Sequence, residues 1–373
     1  MKNILFLSSW YPSRVHTTLG NFVNYHAKSV ALKNKVNLLY IVPDDKIIGY
    51  ELDHFKIDNI TTTIVYFKRG VFRYLNYFIA FLKGLNFLLR EKQETFDLVH
   101  MNVTYPASWQ AIYLRFKYKL PFIISEHWHG FQNLSNQKIG FFKNIMIRYA
   151  FKYAYAVCPV TKELQIAMQK QNLKANYNTV PNVVDTSMFK IGKKEAEQFT
   201  FLHVSTLEDD IKNVSGIIDA FKELKLNNIK LRIIGDGKTD WIKKIVDDNK
   251  LTNQIDVIGE KTHEQIANEM QLANAFVLFS NIETFSIVII EALSCGLPII
   301  STNVGVVKEI YSKSIGELVE INNTNELTNA MKHVFDNYSS YNPQTIRDYA
   351  INNFSYENIG DQFNELYKKM IKN

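Results

Sequence analysis

The feature that most narrows the fold is a pair of apolar runs, residues 273–280 and 297–301, with a third apolar segment between them. Each run reads as a buried strand, and the second follows a turn at Gly296. Two successive buried strands that lie parallel need a long crossover between them, ordinarily a helix. The intervening Ile287-Val-Ile-Ile290 is β-branched and by propensity alone would be a strand. Its place between two buried strands predicts instead a helix from about Ser286 to Cys295, within an α/β sheet covered on both faces. A chain of 373 residues is longer than one core usually serves, so two domains are expected.

The same segment carries two acids. Glu283 precedes it, and Glu291 follows eight residues later, about two turns into the expected helix. Both carboxylates would border one cleft, beside a helix start whose unpaired N–H groups favour an anion. A nucleotide-sugar needs that combination: acceptors for sugar and ribose hydroxyls, and donors for the diphosphate between them. Two glutamates at this spacing are also what a solvated helix face shows, so the flanking strands carry the inference.

Composition excludes several classes. Hydrophobic residues make up 46% and charged residues 21%, which describes a globular chain and not a disordered one. Cys158 and Cys295 sit in apolar surroundings without metal-ligand spacing, as expected in a reducing compartment. The opening apolar run is too short for a signal peptide and reads as a first strand. No stretch approaches the roughly 18 uninterrupted apolar residues of a membrane span, so a cytoplasmic location is expected. The net charge of +6 conceals an asymmetry. Residues 1–180 hold 23 Lys and Arg against 10 Asp and Glu, a net of +13, while the remainder holds 20 against 27, a net of −7. A basic half of this kind faces an anionic surface, either membrane or nucleic acid.

Along the first half, strands are expected at residues 4–7, 36–42, 61–67, 96–101, 121–125 and 155–160. A loop ending in Gly20-Asn21 leads into a helical pattern from Phe22, a geometry that lets backbone approach a phosphate or simply turns the chain. Residues 68–92 and 138–155 are rich in aromatic residues interleaved with cations. Core packing explains such helices, and so does contact with a membrane interface. After the strand at 121–125 comes Ser125-Glu126-His127-Trp128-His129-Gly130, polar groups at the ligand-facing edge of an open sheet. In the second half, strands are expected at 200–205, 230–234 and 255–258, and Thr262 with Gln265 forms a capping box that makes His263 a structural residue.

Taken together, these motifs resemble, in order and spacing, the retaining glycosyltransferases of family 4. Glu283 to Glu291 matches that family's E-x7-E motif, and the segment around His127 resembles its T-x-H-G site, with Ser125 for Thr and Trp128-His129 inserted before Gly130. The insertion leaves His127 and His129 both open, His127 being favoured by its place after the strand. Residues 179–185 look like the interdomain link, Gly235-Asp236-Gly237 like the G-D-G turn, and Thr302-Asn-Val-Gly305 like the loop after the glutamate pair. The resemblance implies a GT-B α/β fold, two Rossmann-like domains facing a central cleft. The first, residues 1–178, would bind the acceptor and the second, 185–354, the donor, with a terminal helix at 355–373 packing back on the first.

It further implies transfer with retention and no metal, from a UDP- or GDP-sugar co-substrate with no other cofactor. Strict D-x-D is absent, as expected of a transferase that does not grip a metal. Glu283 would accept from the donor sugar, and His127 would stand near the reacting carbon. Gly20, Asn21, Ser205, Thr206, Lys212, Gly237, Lys261, Thr284, Phe285, Ser286 and Glu291 would hold the donor. The family's diphosphate-gripping Arg is Thr206 here, which leaves Lys212 as the single cation of that loop. The acceptor would be a glycan or a lipid-linked saccharide in envelope polysaccharide or glycolipid assembly, with the basic half resting on an anionic membrane.

Other readings differ at stated points. A GT-B phosphorylase would need a lysine for pyridoxal phosphate, and none declares itself; an epimerase would need further acids near the sugar. A nucleic-acid-binding module would carry its aromatic residues on strands, whereas here they fall at helical spacing, so no nucleic acid is expected.

Overall fold

The computed structural model describes residues 1–17, 19–132, 140–194 and 198–372. The start of the second basic-aromatic stretch, Lys138, lies outside them, as does Asn373. The chain divides into two compact units, Met1–Val183 with Tyr356–Asn373, and Val184–Ser355.

The first unit runs β1 (Asn3–Ser8), α1 (Asn21–Ala31), β2 (Lys35–Pro43), β3 (Tyr50–Ile57) and β4 (Ile60–Phe67). It continues with α2 (Arg73–Asn86), β5 (Leu98–Asn102), α3 (Thr104–Lys117), β6 (Phe122–Glu126), α4 (Phe141–Tyr153), β7 (Ala156–Pro159) and α5 (Lys162–Lys170). Its sheet has the order β3-β4-β2-β1-β5-β6-β7. All pairs are parallel except β3 on β4, which is antiparallel in register from Tyr50 opposite Phe67 to Ile57 opposite Ile60. β3 is not among the strands expected from apolar runs. Its residues are all intermediate or exposed and include Asp53, His54 and Lys56, which suits an edge strand that shields the buried β4 but does not make a hydrophobic run.

The second unit runs β8 (Phe199–Ser205), α6 (Asp209–Lys212), α7 (Val214–Leu224), β9 (Ile229–Gly235), α8 (Asp240–Asp248), β10 (Ile255–Ile258) and α9 (His263–Leu272). It continues with β11 (Ala275–Leu278), α10 (Ile287–Ser294), β12 (Ile299–Thr302), α11 (Val307–Ile310), β13 (Gly316–Val319), α12 (Thr324–Asp336) and α13 (Pro343–Phe354). Its sheet, order β10-β9-β8-β11-β12-β13, is parallel throughout. The crossover between β11 and β12 is α10, so topology overrides the β-branched propensity of Ile287-Val-Ile-Ile290. Gly296, at φ +71°, ends that helix in a left-handed conformation, and the Leu297 N–H returns to the Ala292 carbonyl at 3.0 Å. β13 is likewise not among the expected strands, being a four-residue edge strand with only its two end residues buried.

α14 (Tyr356–Lys372) returns to the first unit and packs on α1. Gly360 permits this contact, since a Cβ there would stand 2.3 Å from the Ser29 carbonyl oxygen. Asn364 accepts a hydrogen bond from Asn34, 2.6 Å, and Tyr367 meets the ring of His100 on β5, 2.6 Å. Both expected aromatic helices bury one face: Tyr77, Ala80, Phe81, Gly84 and Leu85 on α2, and Ile147, Ala150 and Phe151 on α4. Their N-terminal ends do not. Phe72 is 70% exposed, Phe141 73% and Phe142 81%. Among the described residues no helix is long and apolar enough to cross a membrane.

Candidate active site

Strand order places the loops before any side chain is considered. Where it reverses, between β8 and β11, the connections leaving the C-terminal ends diverge and open a crevice. α6 leaves β8 on one side, and the loop from Ser280 to Ser286 leaves β11 on the other. They are fastened together: the Asn281 N–H donates to the Ile211 carbonyl at 2.8 Å, and its side-chain amide donates to the Asp210 carbonyl at 3.0 Å. Below, the Thr302 hydroxyl donates to the Ser280 carbonyl at 2.6 Å.

That framework brings Lys212 onto Glu283. The ammonium lies 2.6 Å from Oε1, with the two side chains 16% and 10% exposed. The Ser280 hydroxyl donates to the same oxygen at 2.9 Å. Gly305, at φ +56°, presses on the loop from behind; a Cβ there would be 2.7 Å from the Phe285 carbonyl oxygen and 2.9 Å from Glu283 Cβ. Thr284 and Phe285 lead to Ser286, which takes a left-handed conformation at φ 75° and caps α10. Its hydroxyl is buried without a partner among the described residues. The first turn of α10 carries backbone N–H groups that have no acceptor within the helix.

Glu291 lies two turns along α10 and is 2% exposed. Its Oε1 is 3.0 Å from Nε2 of His263, the first residue of α9. The capping box of Thr262 and Gln265 forms, yet His263 is more than part of a helix start. The hydrogen bond to Glu291 raises its pKa above the ordinary histidine value, against the opposing effect of burial. His263 and Ser280 join the site although no sequence motif marks them; the signal for His263 is a histidine opening a helix at the carboxyl edge of a parallel sheet.

The remaining second-unit residues separate. Ser205 Oγ is 2.7 Å from His203 Nε2 and accepts from the Leu207 N–H at 3.1 Å, so its hydroxyl shapes the turn after β8. Thr206 lies against Gly237, where a Cβ would come within 2.2 Å of the Thr206 carbonyl oxygen. Both border an open cavity of about 590 Å³ that Lys238 also lines, together with Asp236, Glu208 and Asp209. Lys261 is held by Glu269, 3.0 Å away, so its charge is already met.

In the first unit, His127 follows β6 and is buried, whereas His129 is exposed at the start of a 3-10 turn. The ring of Phe22 stacks on His127 with centroids 4.2 Å apart, and the His26 ring lies 5.2 Å away. Gly20 and Asn21 immediately precede Phe22, so it is the first turn of α1 that meets His127, through the Phe22 ring. The close approach that Gly20 permits is to the chain's own backbone: at φ +76°, a Cβ would stand 2.4 Å from the Trp10 carbonyl oxygen. Burial pushes the His127 pKa well down, and the neighbouring His26 and His100 push it further. Asn182 approaches the ring without reaching hydrogen-bond geometry, and both ring nitrogens are buried without partners among the described residues. His127 is therefore neutral at pH 7.

Two family models tile most of the chain: Glycosyltransferase Family 4 matches residues 40–188, and Glycosyl transferases group 1 matches 184–352. The chain is a glycosyltransferase of this family. An uncharacterised glycosyltransferase of Methanocaldococcus jannaschii is 28% identical to it over 334 residues, 87% of this chain and 88% of that protein. Sucrose-phosphate synthase from Thermosynechococcus elongatus superposes with a TM-score of 0.78 at 16% identity, over 100% of both chains. The Anabaena protein HepE, solved with UDP and glucose, superposes with a TM-score of 0.72 at 18% identity, over 99% of this chain and 100% of that one. These likenesses establish the GT-B fold for the glycosyltransferase, with two Rossmann-like sheets.

Proposed function

We propose that this glycosyltransferase moves a sugar from a UDP- or GDP-sugar to a glycan or lipid-linked acceptor, with retention at the anomeric carbon and without a metal ion or further cofactor. The observation that carries this reading is the Lys212–Glu283 ion pair in the second unit's crevice, beside the start of α10. A diphosphate entering there offers Lys212 a stronger anion than one carboxylate, and the first turn of α10 supplies backbone donors. Once Lys212 swings to phosphate, Glu283 is left to accept from the donor's sugar hydroxyls. Glu291 accepts from the ribose hydroxyls, with His263 fixing one of its oxygens. Lys212 and α10 then stabilise the charge that develops on the departing nucleotide, where fixed electrostatics contribute most. The neutral imidazole of His127 positions the donor near its anomeric carbon.

The basic first unit, with Phe72, Phe141 and Phe142 exposed among its cations, supports peripheral contact with an anionic membrane and a place in envelope polysaccharide or glycolipid assembly. The test is a metal-free panel of UDP-, GDP- and ADP-sugars, read by thermal stabilisation and by slow release of free nucleotide. Stabilisation by one donor, lost in Glu291→Ala and Lys212→Ala, supports the assignment. Indifference to every donor would overturn it.

A further inference from the structure

A cavity of about 200 Å³ lies in the first unit at the carboxyl ends of β5 and β6, beside His127. Trp10, Tyr105 and Trp128 supply aromatic walls, Thr104 and Glu126 lie within it, and Lys143 from the first turn of α4 reaches into it. The buried Glu126 carboxylate is fully engaged. One oxygen accepts from the N–H groups of His127 and Trp128, each at 2.9 Å, and the other from the Thr104 N–H at 2.9 Å and from the Thr104 hydroxyl. Four donors on one buried carboxylate lock the end of β6, the turn after it and the start of α3 into one frame. The walls are therefore set before any ligand arrives.

Lys143 is the unsettled member. Its ammonium lies 3.7 Å from the centroid of the Trp128 ring and 4.9 Å from that of Tyr105. It has no hydrogen-bonding acceptor among the described residues. A cation resting on two aromatic faces is held weakly compared with one paired to a phosphate. An incoming anion can draw it off Trp128 and free the indole face for a sugar ring. At the cavity's edge, Lys143 shares its turn with the exposed Phe141 and Phe142. The Tyr105 hydroxyl on the other wall feels Tyr74 and Arg73, which adjoin the exposed Phe72.

We propose that this cavity seats the acceptor, and that the acceptor is a saccharide joined to a lipid through a phosphate. The sugar lies against Trp128, the phosphate pairs with Lys143, and the acyl or prenyl chain leaves past Phe141, Phe142 and Phe72. The proposal rests on the transferase reading above and narrows its acceptor.

The test measures tryptophan fluorescence as the whole protein is titrated with octyl glucosyl phosphate, octyl glucoside and glucose 1-phosphate. Wild type is expected to bind the octyl phosphodiester at least tenfold more tightly than either of the others. Lys143→Gln should abolish the preference over octyl glucoside while still binding that glucoside, and Trp128→Phe should weaken both alkyl ligands. Equal affinities for the phosphodiester and the glucoside, or a preference that survives in Lys143→Gln, would overturn the phosphate site. Glucose 1-phosphate binding as tightly as the octyl phosphodiester would overturn the lipid. Thermal stabilisation by nucleotide, run in parallel on wild type, reads the donor assignment separately: its absence alongside a Lys143-dependent phosphodiester preference would sink the assignment of a UDP- or GDP-sugar donor while leaving the lipid phosphodiester site in the first unit.

Discussion

Lys212 and Glu283 are joined by a 2.6 Å ion pair although one ends helix α6 and the other lies in the loop after β11, on opposite sides of a strand-order reversal. A pair this enclosed holds each partner where the other needs it, so removing one leaves an uncompensated charge in the crevice. Lys212→Ala is expected to lower kcat by about 100-fold, as for loss of one preorganised electrostatic contact. Glu283→Gln keeps the shape and should retain nucleotide binding while losing turnover. Steady-state kinetics with isothermal titration of the free nucleotide checks both; a Lys212→Ala enzyme with unchanged kcat would refute the assigned role.

The His263–Glu291 contact predicts a selective loss. Glu291→Gln should weaken a ribonucleotide by about tenfold, the cost of a hydrogen bond to a charged group. It should leave a nucleotide lacking both ribose hydroxyls unchanged. Because the His263 pKa is raised in the folded protein, the pair's contribution to stability is full below the ordinary histidine pKa and disappears as pH rises through the folded value. The difference in Tm between wild type and Glu291→Gln should therefore narrow as the pH is raised.

Acid should act on the first unit before the second. His100 and His127 are held well below the ordinary histidine pKa by burial, and His26 is lowered to about 4. In the second unit His203 is lowered to about 4, also by burial. Each of these groups binds a proton more readily when unfolded, so each removes stability as pH falls below about 6.5, by up to roughly 1.4 kcal/mol per pH unit. Three of the four tryptophans, Trp10, Trp109 and Trp128, report on the first unit. Melts followed by their fluorescence between pH 7 and pH 4 should shift further than melts followed by a probe placed in the second unit.

Gly305→Ala tests the support of the glutamate loop. The added methyl would collide with the Phe285 carbonyl oxygen and with Glu283 Cβ, at a backbone conformation that disfavours side chains. A stability loss on the order of 1–3 kcal/mol is expected, with kcat falling more than the Tm shift explains. An active enzyme with normal kcat would show that the position of Glu283 is not set from behind.

Most of the parallel framework was legible because buried strands announce themselves as apolar runs, and 200–205 against Phe199–Ser205 differs by one residue. β3 was not, because an edge strand facing water on one side has no such run. The Ile287-Val-Ile-Ile290 helix was read correctly only through its neighbours, since local propensity pointed the other way. Residues named by motif, such as Glu283 and Lys212, could be listed from the sequence, but their contact depends on which loops flank the strand-order reversal. His263 was hidden by a genuine cap: Thr262 and Gln265 explained the helix start so completely that nothing drew attention to the ring's second use. Lys143 lay in a stretch whose charge was read in bulk, and only packing separates a cation on an indole from one in solvent.

The docking of α14 on α1 and β5 has a consequence for how the protein is made. The unit that emerges first from the ribosome lacks its closing helix until the whole of the second unit has been made. Until then the surface awaiting Tyr367 and Asn364 stays open, with His100 and Asn34 unsatisfied from that side. The second unit, by contrast, is continuous in sequence and can complete itself earlier. A nonsense codon at Tyr356 itself would thus spare the later-made half and cripple the earlier one.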